Sequence, residues 1–239
     1  MFTITVHYSK DRIDLLKTQV KHLSQINCEK ILCVDGTTNI KPKDYKILEI
    51  ERPSILYSRP KIWIESIQKA KNENILYLDC DRIVPIEFIQ KALEINCRNK
   101  IIFPDRINNL QRISDIKNPD ISMNKNPLSG CVMFHKDILE KAVPDLQFQG
   151  WRFADLDFYF SMLKSKIKPV SLDFEDVHLR HKYDIPKEII ELMYLWNGKK
   201  FFDKWNLPYS KRYNFLSRKW IKYKDEDLGK IIKTFLANH

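Results

Sequence analysis

The chain has 239 residues, 44% of them hydrophobic and 12% aromatic, which is apolar enough to bury a sizeable core and excludes global disorder. Only five glycines occur, which argues against a glycine-rich linker, and the five scattered cysteines contain no C-x-x-C pair, which argues against a thiolate zinc site. The formal net charge of +10 (41 Lys+Arg against 31 Asp+Glu) attracts phosphate-bearing partners of any kind without choosing among them.

In chain order, Phe2 to Tyr8 is strand-like and rich in β-branched residues. Asp11 to Ile26 is helical, because Ile13, Leu16, Val20, Leu23 and Ile26 recur every three or four residues. Lys30 to Asp35 is a short apolar strand ending in an Asp-Gly turn signal, and Lys46 to Ile50 is a further strand. Pro60 to Lys71 is helical with proline in its first turn, Asn74 to Asp79 is a strand, Pro85 to Asn96 a helix and Lys100 to Pro104 a strand. Ile107 to Pro127 is polar and is expected to be a loop. Ser129 to His135 is a strand, Asp155 to Lys164 a short helix and Pro169 to Leu172 a strand, and from Pro186 onward the chain is helical, basic and aromatic. This alternation predicts an α/β fold with a mostly parallel sheet flanked by helices. Two units are expected: a nucleotide-binding and catalytic domain over 1–185, and a helical extension over 186–239 packed on it. In such sheets ligands bind beyond the carboxyl ends of the strands, where Asp35 and the Asp79-Cys80-Asp81 run both fall.

Three constellations carry chemistry. Two carboxylates as close as Asp79 and Asp81 repel one another if both ionise, which a divalent cation or donating hydroxyls resolve. Mg²⁺ suits such a pair because it prefers few protein carboxylates together with phosphate oxygens and water; the bland alternative is a solvated turn or helix cap. His178 and His181 lie three apart in HLRH, and imidazole is a good ligand for Mn²⁺ or Zn²⁺, although such a pair is equally at home in a polar strand end. In GWRFADLD an aromatic face, Trp151, stands beside carboxylates: Asp155 is a candidate general base and Asp157 a second acid, and both also suit the first turn of a helix.

Taken together these segments resemble the GT-A glycosyltransferases, near the family 2 enzymes and the β-1,4-galactosyltransferase type, over about Phe2 to Trp205. The opening strand and helix followed by ILCVDGTT is similar to the family's nucleotide-binding start, which implies Asp35 at the base, with His7 and Tyr8 beside it. YSRPKIWIESIQKAKNENILYLDCDRIVP resembles the family's Arg, helix, strand and D-x-D, which implies Arg59 at the diphosphate, Asp79 at the ribose and Asp81 on the metal. Ile64 stands where the family often has Asn. PLSGCVMF, with Gly130, resembles the strand beside the donor sugar; GWRFADLDF resembles Gly-Trp-Gly-x-Glu-Asp-x-Asp, which implies Asp155 as the base and Trp151 as the sugar platform, with Asp157 toward the acceptor. Arg152 and Ala154 replace the second Gly and the Glu of that motif. VHLRHKYD is similar to the galactosyltransferase metal-ligand segment, implying His181 and His178 as further ligands, and NGKKFFDKWN resembles the closing segment, where Lys204 either supports phosphate or packs.

The resemblance implies an inverting, metal-dependent glycosyltransferase that uses Mn²⁺ or Mg²⁺, a nucleotide-sugar donor with UDP-sugar favoured, and a carbohydrate or glycoconjugate acceptor. The alternatives are a catalytically inactive nucleotide-sugar-binding relative and a nucleotidyltransferase. No nucleic-acid motif is visible. A cytoplasmic location is expected from MFTITVHYSKDR, which lacks both a basic n-region and an apolar run. The basic C-terminal region suggests peripheral contact with anionic lipid.

Overall fold

The computed structural model describes residues 1–8, 12–51, 58–110, 130–150, 152–179, 186–221 and 229–234, with backbone alone over 106–110. Among the described residues eight strands form one sheet: β1 (Phe2–Tyr8), β2 (Glu29–Asp35), β3 (Lys46–Ile50), β4 (Asn74–Asp79), β5 (Arg82–Ile83), β6 (Lys100–Leu110), β7 (Cys131–His135) and β8 (Lys168–Leu179). Their order is β3-β2-β1-β4-β7-β6-β8-β5. The β1–β2, β1–β4, β2–β3 and β6–β8 pairs are parallel, while β7 runs antiparallel between β4 and β6, and β5 antiparallel to β8. The helices are α1 (Ile13–Leu23), α2 (Arg59–Lys69), α3 (Ile86–Leu93), α4 (Ile138–Lys141), α5 (Ala154–Lys164), α6 (Lys187–Lys204) and α7 (Lys211–Lys219).

The strands alternate between two apolar layers, as a period of two residues requires. Ile4, Val6 and Tyr8 of β1, Leu32 and Val34 of β2, and Leu76 and Leu78 of β4 pack with Leu16 and Leu23 of α1 and Phe88 and Ile89 of α3. Ile31, Cys33, Ile75, Tyr77, Val132 and Phe134 turn to the other face and meet Trp63 of α2, Ile138 of α4 and Phe158 of α5. A third cluster joins Phe148, Phe153 and Ala154 to α6, α7 and Ile232. The C-terminal helices thus bury their aromatics against the start of α5: Phe153 stands 5.0 Å from Tyr194 and 5.2 Å from Phe201, ring centre to ring centre.

The element types expected from the sequence recur with shifted ends, and the main differences lie in the second half. β6 continues to Leu110, inside the stretch expected to be a loop, and β8 spans Lys168–Leu179 rather than four residues. The two are long because they pair with each other in parallel almost throughout, across one irregularity between Pro104 and Arg106. The remainder of that expected loop and the start of the strand expected over 129–135 lie outside the described residues. Among the described residues no helix is long and apolar enough to cross a membrane.

Candidate active site at the carboxyl edge

Asp79 closes β4 and Asp81 follows it at the carboxyl edge of the parallel strands. Three neighbours fix the short loop between them. Gln19 of α1 donates its amide to the carbonyls of Asp79 (2.9 Å) and Arg82 (2.8 Å). The Cys80 N–H donates to the His7 carbonyl (2.9 Å), and the Asp79 N–H to that of Gly130 (2.8 Å). On the far side, the Leu179 N–H donates to the Asp81 carbonyl (2.8 Å), and β5–β8 pairing sets Arg82 opposite His178.

Each carboxylate has its own cation. Arg59, in the first turn of α2, reaches Asp79 (Nη2 to Oδ2, 2.7 Å), while the Tyr77 hydroxyl donates to Oδ1 (3.1 Å) and His7 Nδ1 lies 3.5 Å from it. Burial alone would raise the Asp79 carboxyl; the Arg59 charge and the His7 hydrogen bond outweigh it, against repulsion from Asp81, and hold it well below the usual carboxylate range. Asp81 Oδ2 is 2.8 Å from Arg12 Nη1 and 3.5 Å from His178 Nε2. Both aspartates are buried, at 8% and 4% exposure, where a carboxylate needs such partners to offset the loss of water.

Beneath them lies a second buried pair, Arg82 with Asp176 of β8 (3.1 Å). Burial pushes the Asp176 carboxyl up to about 6, with Arg82 and His178 pulling it back. This pair fastens the residue after Asp81 to the strand that carries His178. Gly130 closes the floor: a Cβ there would sit 2.7 Å from Arg82 Nε and 3.1 Å from Asp79 Oδ2, and its φ of +102° suits glycine.

Asp155 lies in the first turn of α5. Topology places this end at the carboxyl edge. α5 leads into β8, which is parallel to β6, and β6 and β4 both run antiparallel to β7, so β8 points the same way as β4. Packing agrees, since Phe158, three residues after Asp155, lies 5.0 Å from Trp63, four residues after Arg59. The turn entering α5 is strained: Arg152 and Phe153 have φ of 76° and 66° after Gly150 at 73°. Asn197 of α6, fully buried, holds it by donating to the carbonyls of Gln149 (2.8 Å) and Arg152 (3.3 Å).

His7, Arg59, Asp79, Asp81, Gly130 and His178 are therefore brought together, and Asp35 stands at the end of the neighbouring β2, which pairs with β1. Two expected residues turn inward. The Tyr8 ring belongs to the apolar layer under α1 and α3. Asp157 is wholly enclosed: Trp205 Nε1 donates to Oδ1 (2.8 Å) and Lys204 Nζ to Oδ2 (2.9 Å), so it ties α5 to α6, and an acceptor contact is not retained for it. Lys204 also pairs with Asp145 (2.8 Å), which makes it a packing residue. Trp151 and His181 lie outside the described residues. Sequence reasoning missed Arg12, Gln19, Tyr77, Arg82 and Asp176. Arg12 had a legible signal, since it begins the helix that follows β1 at the same sheet edge.

Among the described residues no group of three or more His, Cys, Asp and Glu is arranged to hold a metal. Asp81 and His178 nevertheless suit two positions on one cation. Ligand atoms about 2.1 Å from a metal, at octahedral to tetrahedral angles, are roughly 3.0–3.4 Å apart; their separation is 3.5 Å. Mg²⁺-type sites commonly use one or two protein ligands and complete the shell with substrate phosphate and water.

A cavity of about 470 Å³ at the opposite, amino edge is lined by Glu73, Arg98, His135 and Asp137 among others. Its histidine is committed to Glu73 (3.2 Å) and Asp137 (2.8 Å), which leaves the carboxyl edge as the better candidate.

No protein-family model and no curated protein sequence matches the chain. Solved structures do. Glucosyl-3-phosphoglycerate synthase from Mycobacterium tuberculosis, crystallised with Mn²⁺, uridine diphosphate and glucosyl-3-phosphoglycerate, aligns over 87% of this chain and 81% of its own, with TM-score 0.55 and 10% identity. TarS residues 1–349 from S. aureus aligns over 84% of this chain and 72% of its own, with TM-score 0.53 and 12% identity. The inositol-1-phosphate CTP transferase from T. maritima aligns over 80% and 94%, with TM-score 0.51 and 12% identity. The chain has a GT-A-like, Rossmann-related fold, of the kind found in both glycosyltransferases and nucleotidyltransferases.

Proposed function

We infer that the protein is an inverting, metal-dependent glycosyltransferase that moves a sugar from a nucleoside-diphosphate donor, UDP-sugar first among them, to a hydroxyl of a carbohydrate or glycoconjugate acceptor. The observation that supports this most is the convergence of Asp79, Asp81, Arg59, Arg12 and His178 at one sheet edge: two acids, each with a cation, beside a histidine. An arrangement of alternating fixed charges suits a diphosphate and a divalent cation better than a neutral ligand.

On this reading Asp35, at the end of β2, and His7 lie toward the nucleoside, Arg59 and Asp79 position the diphosphate and ribose, and Asp81 with His178 hold the cation. His181 and Trp151 are proposed as a further ligand and as the sugar platform. When bound, Mn²⁺ or Mg²⁺ supplies Lewis-acid neutralisation of the leaving diphosphate. Asp155 accepts the proton of the acceptor hydroxyl as its oxygen bonds the anomeric carbon. The bond from that carbon to the diphosphate oxygen breaks on the opposite face, the electron pair leaves with the nucleotide, and the configuration inverts. The strained turn at Arg152 and Phe153 keeps Asp155 at the head of α5.

The test is turnover and product stereochemistry. Asp155→Asn lowers kcat by about 10²- to 10⁴-fold with donor binding preserved, while Asp81→Ala loses metal-dependent donor binding. Near-normal turnover in Asp155→Asn removes it as the base, and an unchanged anomeric configuration by NMR removes the inverting course. The nucleotidyltransferase alternative is favoured by the likeness to the CTP transferase fold; there a sugar-phosphate oxygen would bond the α-phosphorus of a nucleoside triphosphate and diphosphate would leave, so incubation with that substrate pair and a diphosphate readout distinguishes it.

A membrane-facing surface belongs to the same proposal. Tyr213 and Leu216 of α7 are buried, which turns Lys211, Phe215 and Arg218 outward; Phe215 is 68% exposed and Ile221, just beyond, 84%. Exposed apolar side chains among basic ones suit an anionic lipid surface.

A further inference from the structure

The arginine at Asp81 carries a consequence that rests on the donor-site reading above. Arg12 caps the start of α1 and extends its guanidinium to the carboxylate oxygen that His178 Nε2 also faces, at 2.8 and 3.5 Å respectively. Asp79 is served separately by Arg59, so the two acids of the D-x-D run are each balanced by an arginine from a different helix N-terminus. A divalent cation held by Asp81 and His178 would have to approach the same Oδ2, a few ångströms from a full positive charge whose side chain is only 14% exposed. Guanidinium and cation therefore compete for one oxygen.

We propose that Arg12 and the divalent cation exchange on Asp81, with the donor diphosphate driving the exchange. In the free protein Arg12 neutralises Asp81 and opposes metal binding. When a diphosphate arrives, its oxygens offer the guanidinium a better, two-pronged partner. Arg12 moves to the diphosphate, and Asp81 is released so that, with His178, it would hold a cation. The metal alone then binds weakly, and metal and nucleotide raise each other's affinity by the same factor, as linkage requires. Arg12 is then a binding residue for the leaving group as well as the charge that balances Asp81.

The experiment measures Mn²⁺ binding by isothermal titration and by the EPR signal of free Mn²⁺, with and without UDP, on the full chain and on Arg12→Gln and Arg12→Lys. Thermal melting beforehand confirms that each variant is folded. The expected result is that Arg12→Gln binds Mn²⁺ alone about tenfold more tightly than the unaltered chain, and that the UDP-induced gain in Mn²⁺ affinity shrinks by a similar factor. Arg12→Lys retains weak binding of Mn²⁺ alone, because the charge is kept, and also loses part of the UDP coupling, because the fork is gone. Unchanged or weaker binding of Mn²⁺ alone by folded Arg12→Gln overturns the exchange, as does absence of Mn²⁺ binding in every chain. If Arg12→Gln gains Mn²⁺ affinity while no chain binds UDP, the competition at Asp81 stands and the donor-site reading falls.

Discussion

Asp79 and Asp81 are two residues apart, yet a turn held by Gln19 and the Gly130 carbonyl sends them to different partners, Arg59 on one side and Arg12 with His178 on the other. Gly130 is where this arrangement has least room. Gly130→Ala brings a methyl to within contact distance of Arg82 and Asp79 at a φ of +102°. The variant is expected to lose about 1–3 kcal/mol in urea denaturation, and also to loosen donor binding, because both displaced side chains border the site. Unaltered stability and binding would mean that the Arg82 side chain shifts freely. The acids themselves were legible as residues, because a charged pair after an apolar run is visible in sequence. Arg59 was legible too, 20 positions before Asp79, but the pairings of Arg12 with Asp81 and of Arg82 with Asp176 were not, because they span 69 and 94 positions. His7 and Tyr8 show a simpler lapse. Adjacent strand residues point to opposite faces, so both could not face one ligand, and Tyr8 is the one that packs under α1 and α3.

At the scale of elements, the first half of the sheet was readable because its strands are continuous apolar runs and its helices keep a clear period, as expected for strands covered on both faces. β5 was not, since two residues carry no period and exist as a strand only through β8. The tie between α5 and α6 was not legible for a related reason: Asp157, expected toward the acceptor, meets Lys204 and Trp205 some 47 positions away in sequence. Removing one partner of a buried charge is costly, so Lys204→Met is expected to destabilise the fold by about 3 kcal/mol at neutral pH. Burial already raises the Asp157 carboxyl, with Lys204 and Trp205 opposing the rise. Without Lys204 it rises further. A carboxyl raised in the folded state binds protons that the unfolded chain does not, so the variant gains stability as pH falls through that raised value toward the ordinary carboxylate range. Denaturation midpoints between pH 7 and 4 check this; a deficit that stays constant or widens on acidification contradicts it.

For the whole molecule, the surplus of positive charge was evident from composition, but where it meets apolar surface was not. The outward face of α7 supplies that location. Vesicles containing anionic lipid are expected to retain the protein at low salt, with binding reduced about tenfold or more by Lys211→Gln with Arg218→Gln, at about 1 kcal/mol for each basic residue near the surface. Equal binding to zwitterionic vesicles, or none to anionic ones, removes the membrane role. The fold itself serves both sugar transfer and nucleotidyl transfer, so function must be decided at the carboxyl edge.

The most direct measurement there is thermal melting of the intact chain against UDP-, GDP- and CMP-sugars, each with and without Mn²⁺. One nucleotide-sugar, near 100 times its dissociation constant, is expected to raise the Tm by about 5–10 °C, only when Mn²⁺ is present, and not in Asp81→Ala. No stabilisation by any donor under either condition would contradict the account.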